Sequence, residues 1–217
     1  MIIDIFIDMI NKQYEKEDIC DIWKNSDYKK IVKLQANNVG LVGETFIESL
    51  CKKCDIQANI DGTHMKGCGC DGFILNKSVE IKTSHRGNKN ETFQHELGEF
   101  PWKAEYMIFI DVEPKYIYLT IFKNFTEKFY KSGDKCKDYF KTKKITWRKK
   151  LGAFKFDTTI KINENNLNKI TLKISKNTTK QDIKDFIIRS FSIIFIIMTL
   201  ATLHSRILCD FQSLIRI

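Results

Sequence analysis

The sequence predicts an α/β fold in which a four-stranded mixed sheet is flanked by helices on both sides. Three observations carry this. Residues Cys70 to Ser84 (C-D-G-F-I-L-N-K-S-V-E-I-K-T-S) place apolar residues on either side of a polar pair, the pattern of a β-hairpin turning at Asn76 and Lys77. Glu105 to Val112 and Lys115 to Phe122 are two more strand-like runs bounded by Glu113-Pro114; the first is almost wholly apolar, as a strand buried on both faces is, and the second alternates. Two stretches with helical periodicity precede the hairpin.

The elements follow in order. Met1 to Lys24 begins M-I-I-D-I-F-I-D-M-I and continues through Tyr14, Ile19 and Trp23, an amphipathic helix expected to cover the sheet; Asp4 and Asp8 interrupt the apolar run that a secretory signal needs. Asp27 to Lys53 gives a second helix, with Leu41, Phe46, Ile47 and Leu50 on one face and Glu44 near its start. After the hairpin, Thr83 to Asn90 is polar, and a further helix is expected from near Asn90, with Phe93 and Leu97 inward and Pro101 ending it. Ser190 to Leu203 is fourteen residues without a formal charge, short of the ~20 a membrane span needs, so a buried or dimerising helix capped by Thr178 or Thr179 is expected.

Composition bounds the rest. A chain of 217 residues, 43% hydrophobic and 29% charged, is a globular protein and excludes wholesale disorder. Residues 1–134 are expected to form a core unit, and 135–217 a basic, β-rich region with the apolar helix, within the same domain. The net charge of +9 implies an anionic partner such as nucleic acid. Between Lys135 and Lys173, twelve Lys and Arg stand against three acids, an excess equal to that of the whole chain. There Tyr139, Phe140, Trp147, Phe154 and Phe156 interleave with cations; the aromatics are expected to be core, and Lys143, Lys144, Arg148, Lys149 and Lys150 to contact phosphates, with Arg148 the best base reader. Seven cysteines, an odd number, favour reduced thiols in the cytoplasm over a disulfide framework. Cys51, Cys54, His64 and Cys68 are zinc-type ligands, although their spacing is not that of a standard finger.

In the expected hairpin register Asp71 faces Lys82 and Phe73 faces Glu80. Alternation then puts Asp71, Glu80 and Lys82 on one face and Ile74, Val79 and Ile81 on the other, toward the core. Two carboxylates, helped by the Ile81 carbonyl, suit a hard cation such as Mg²⁺ or Mn²⁺, and Lys82 would hold a water and offset charge on a phosphate.

This D-x8-E-x-K pattern resembles the PD-(D/E)XK nuclease superfamily, whose fold is that of type II restriction endonucleases; Cys70 stands where the motif has proline. The resemblance implies a restriction-endonuclease-like sheet and a metal-dependent endonuclease acting on double-stranded DNA, most simply as a homodimer, with no small-molecule substrate. It also implies that a glutamate on the preceding helix reaches the metal. The G-x-x-G-E stretch, Gly40 to Glu44, looks like that helix, making Glu44 a candidate ligand. Residues just past the lysine in such enzymes touch DNA, which nominates Thr83, Ser84, His85, Arg86, Gln94 and His95, the last also as a general base. A repair nuclease or junction resolvase shares the fold. A zinc-stabilised, non-enzymatic nucleic-acid-binding protein is the rival from another class.

Overall fold

The computed structural model of the chain describes residues 2–16, 21–60, 69–87, 90–98, 102–125, 145–148 and 153–192. Helices α1 (Ile2–Lys16) and α2 (Ala36–Lys53) precede strands β1 (Ala58–Ile60), β2 (Gly72–Ile74), β3 (Lys77–His85), β4 (Thr92–Gly98), β5 (Tyr106–Val112) and β6 (Ile117–Lys123). Strands β7 (Ile145–Arg148) and β8 (Ala153–Thr159), helix α3 (Ile160–Asn165), strand β9 (Thr171–Ile174) and helix α4 (Lys180–Phe191) complete the order. Six strands form a mixed sheet, β1-β2-β3-β5-β6-β9, in which β3 and β5 run parallel and the other neighbours antiparallel. The second sheet, β4-β8-β7, is antiparallel. The four expected strands are the middle of the first sheet, and residues 153–192 extend both sheets.

Every residue of β5 is buried, because both faces of the large sheet are covered. On one face Val79, Ile81, Ile108, Ile110, Leu119 and Ile121 pack with Val39, Ile47 and Cys51 of α2 and Ile183, Phe186 and Ile187 of α4. On the other, Met107, Phe109 and Phe122 pack with Leu97, Phe156 and Ile162, which come from β4, β8 and α3. Phe156 is thus core, as expected of the aromatics. Thr179 caps α4 with a reciprocal Thr179–Asp182 capping box, meeting the expectation for the cap; α4 closes at Phe191, and residues 193–203 of the expected apolar stretch lie outside the described residues. Among the described residues no helix is long and apolar enough to cross a membrane.

Three expectations are corrected. Helix α1 ends at Lys16, and Ile3, Phe6, Ile7, Met9 and Ile10 are each more than half exposed. The sheet face is already occupied by α2 and α4, and among the described residues of this stretch it is Trp23, beyond α1, that enters the core, with Ile22 packed against it. On α2 the buried stripe is Val39, Gly43, Ile47 and Cys51, while Leu41 is exposed; a glycine at the contact lets the helix seat on that line rather than on the larger residues. The segment after the hairpin is strand β4, not a helix. Phe93, His95 and Leu97 are buried and Gln94 and Glu96 exposed, a two-residue period that pairing with β8 imposes.

Candidate active site

The hairpin turns one residue earlier than expected. Ile74 pairs with Lys77, leaving Leu75 and Asn76 as the turn, both with positive φ (49° and 62°), a conformation that asparagine tolerates well. The register is therefore displaced by two, with Gly72 opposite Val79 rather than Ile81, and a shift of two keeps every side chain of the paired residues on its expected face.

Asp71 departs from that face. Its N–H donates to the Val79 carbonyl at 2.9 Å, and its Oδ2 accepts from the Ile81 N–H at 2.6 Å. Pairing of β2 stops at Gly72, and the buried Asp71 carboxylate takes the next amide along, so it lies at the edge of β3 instead of standing over the sheet. Glu80 and Lys82, two apart on one strand, do share a face, and Lys82 Nζ donates to Glu80 Oε1 at 2.5 Å with both side chains about one fifth exposed. Beyond Val79 no strand among the described residues pairs with this edge of β3.

A cleft of about 710 Å³ opens there. Ile81, Lys82 and Thr83 line it from β3, Ala36, Asn37, Asn38, Gly40, Leu41 and Glu44 from α2, and Gln94, His95 and Glu96 from β4. Glu44, Ile81, Lys82 and Gln94 are thus brought to one cavity. Asp71, bonded to the Ile81 amide, and Glu80, paired with Lys82, each touch a lining residue but do not themselves line the cleft. Among the described residues no three His, Cys, Asp or Glu side chains are grouped as a ready-made metal site.

The remaining candidates are scattered. Ser84 is buried opposite Asp111, turned between the layers rather than to the surface. Arg86 donates through Nη1 to Glu113 at 3.3 Å and through Nε to the Asn90 carbonyl at 3.2 Å. Gln94 is exposed, with Nε2 3.5 Å from Asp157 Oδ1. Arg148 ends β7, paired with Ala153, while Lys143, Lys144, Lys149 and Lys150 lie outside the described residues, as do His64 and Cys68. Cys51 and Cys54 are buried free thiols at the end of α2; burial, with the neighbouring Cys54, pushes Cys51 up to about 12. Cys70 is disulfide-bonded, which differs from the expectation of reduced thiols.

His95 is not a surface contact on a helix but a buried strand residue, its Nε2 donating to Asp111 Oδ1 at 2.6 Å. Asp111 Oδ2 also accepts from Thr158 Oγ1 and Asn163 Nδ2, each at 2.6 Å. Sequence reasoning missed this network, although a signal was present: one aspartate inside the apolar run M-I-F-I-D-V needs buried partners. No family model, curated protein or solved structure matches the chain.

Proposed function

We propose that the chain is a metal-dependent endodeoxyribonuclease of the PD-(D/E)XK type, hydrolysing phosphodiester bonds of double-stranded DNA with Mg²⁺ or Mn²⁺. One observation supports the reading: along the edge of β3 left unpaired among the described residues, the Ile81 amide holds the Asp71 carboxylate, and Ile81 and Lys82, the latter paired with Glu80, line a cleft with Glu44.

The donor set fits a hard cation. Such an ion takes oxygen ligands, keeps several waters, and needs about one or two carboxylates beside the substrate phosphate. Of the candidates Asp71, Glu80 and Glu44, about one or two would supply carboxylate oxygens. Ile81 would add its carbonyl, because a strand residue turns N–H and C=O to the same neighbour and the N–H already meets Asp71. When bound, the cation polarises the phosphate and acidifies a water.

The chain's own residues do the rest. The Ile81 amide fixes the Asp71 carboxylate at the edge, and Glu80 fixes the Lys82 ammonium. Lys82 then holds the attacking water and offsets charge on the phosphate as the new P–O bond forms and the old one breaks. Lys143, Lys144, Arg148, Lys149 and Lys150 would grip the backbone, and Arg86 and Gln94 would approach the strand being cut. The finer reading is a type II restriction enzyme, working as a homodimer in the cytoplasm; a repair nuclease or junction resolvase would share the chemistry.

The test is incubation of mixed plasmid DNA in Mg²⁺ or EDTA, with the fragment ends sequenced. Cleavage in Mg²⁺ alone is expected, with uniform ends for a restriction enzyme and ragged ends for a degradative one. Lys82→Ala and Asp71→Asn are expected to lower kcat by about 10²- to 10³-fold while retaining DNA binding. Absence of cleavage by the wild type, together with one equivalent of bound zinc, would replace the enzyme by a zinc-stabilised DNA-binding protein.

A further inference from the structure

Helix α2 meets β3 at a glycine. A Cβ added to Gly43 would fall inside the Thr83 hydroxyl, 2.9 Å from Thr83 Cβ and 3.1 Å from Ile110 Cδ1. At Gly40, one turn earlier, the same addition meets nothing within 4 Å. Of the two glycines in the G-x-x-G-E stretch, packing therefore requires only the second. The neighbour is particular too: Thr83 Oγ1 is buried and has no hydrogen-bond partner among the described residues, so none of them holds it there. It lies against the Gly43 Cα, where a weak Cα–H···O contact is the available interaction.

Glu44 follows Gly43 in the chain and lines the same cleft as Thr83 and Lys82. The depth at which Gly43 seats on Thr83 therefore sets how far the Glu44 carboxylate stands from the edge of β3. We infer that Gly43 and Thr83 are positioning residues for a divalent-cation site containing Glu44: their contact, not the helix as a whole, fixes that ligand's reach. This rests on the nuclease reading for the identity of the cation. A side chain at Gly43 displaces α2 on the order of 1 Å, and a misplacement of about 1 Å costs about 10²-fold in rate.

The experiment compares wild type, Gly43→Ala, Thr83→Ala and the pair on the full chain. It uses thermal melting, calorimetric Mg²⁺ titration without DNA, and the kcat and Mg²⁺ half-saturation of plasmid cleavage. Thr83→Ala removes the overlapping hydroxyl and leaves Cβ at 2.9 Å, so the paired variant needs a shift of only roughly 0.5 Å to reach ordinary contact. Gly43→Ala is expected to stay folded, bind Mg²⁺ about tenfold more weakly and lose about 10²-fold in kcat. The pair is expected to recover Mg²⁺ affinity to within about threefold of wild type, a rescue that mere loss of helix stability does not give.

Wild-type Mg²⁺ affinity in folded Gly43→Ala overturns the inference, and so does a pair no better than the single variant. Should Gly43→Ala not fold, Thr83→Val puts a wider methyl against the same Cα, and an unchanged Mg²⁺ isotherm in that variant overturns it equally. A wild type that binds Mg²⁺ through Glu44 but cuts no DNA removes the nuclease reading and leaves the positioning claim standing. A wild type that binds no Mg²⁺ removes both.

Discussion

His95 Nε2 lies 2.6 Å from Asp111 Oδ1, with both side chains wholly buried between the two sheets. Through the other oxygen, Thr158 and Asn163 tie β8 and α3 to the same carboxylate, so one aspartate on β5 holds three elements. A carboxylate only accepts, which fixes the proton on Nε2. Asp111→Ala strands three buried donors and is expected to cost roughly 3–5 kcal/mol, read as a lowered urea midpoint at unchanged slope. His95→Ala keeps the other two bonds and is expected to cost less, about 1–3 kcal/mol. Equal and small effects of both would mean that the small sheet docks by apolar contact alone.

Glu113 gives a pH signature of opposite sign to the surface acids. Burial raises its carboxyl above the usual range, against the lowering influence of Arg86, whose Nη1 donates at 3.3 Å. A raised folded value means that between about 4.5 and that value the folded chain binds more protons than the unfolded one, so stability falls as pH rises through the window. Asp27, Asp55 and Asp182 are held below the usual carboxylate range by Lys176, by Lys180 and by hydrogen bonds from Thr179, and their contribution is lost as pH falls. Glu113→Gln is therefore expected to match wild type near pH 4 and exceed it at pH 7. Chemical denaturation across that range checks it, and parallel curves for the two proteins would refute it.

The sequence made strands legible where both faces are buried and turns where proline or asparagine punctuates them. The run Y-M-I-F-I-D-V read as a doubly buried strand because nothing polar but Asp111 interrupts it. Thr92 to Gly98 misled because Phe93 and Leu97 are four apart, which fits a helix, and also have His95 midway, which fits a strand; pairing with β8 decided it. At the site, the positions of Glu80 and Lys82 followed from their spacing of two on one strand. The placement of Asp71 did not, since its carboxylate answers an amide exposed by the early end of β2, a tertiary event no local pattern encodes. Gly43 was legible as a glycine but not as a seat, because its partner is forty residues away.

Cys51 and Cys54 offer a chemical check on the core. Burial raises both thiols, Cys51 to about 12. At pH 8 the thiolate fraction of Cys51 is then on the order of one in 10⁴, and the sulfur is also inaccessible. Iodoacetamide followed by peptide mass spectrometry is expected to leave both unmodified in the native chain and to label both in urea. Rapid native labelling of Cys51 would show that α2 does not rest on the sheet as described.

Two glycine substitutions are expected to act in opposite directions. Gly72 sits where β1 crosses closest to β2, and a Cβ there would overlap the Asn59 carbonyl and lie 2.7 Å from Ile60 Cα. Both obstacles are backbone, so no rotamer change relieves them, and the strand that carries Asp71 must move. Gly72→Ala is expected to cost about 1–3 kcal/mol. Gly40 lies inside α2 with open space beyond its Cα, so Gly40→Ala gains helix propensity and loses nothing, for a gain of about 0.5–1 kcal/mol. Urea denaturation of the two variants side by side separates the effects. A stabilised Gly72→Ala would mean that the β1–β2 pairing is looser than Ala58 to Ile60 against Gly72 to Ile74 implies, and that the Asp71 carboxylate is not held at the edge of β3 by its neighbours.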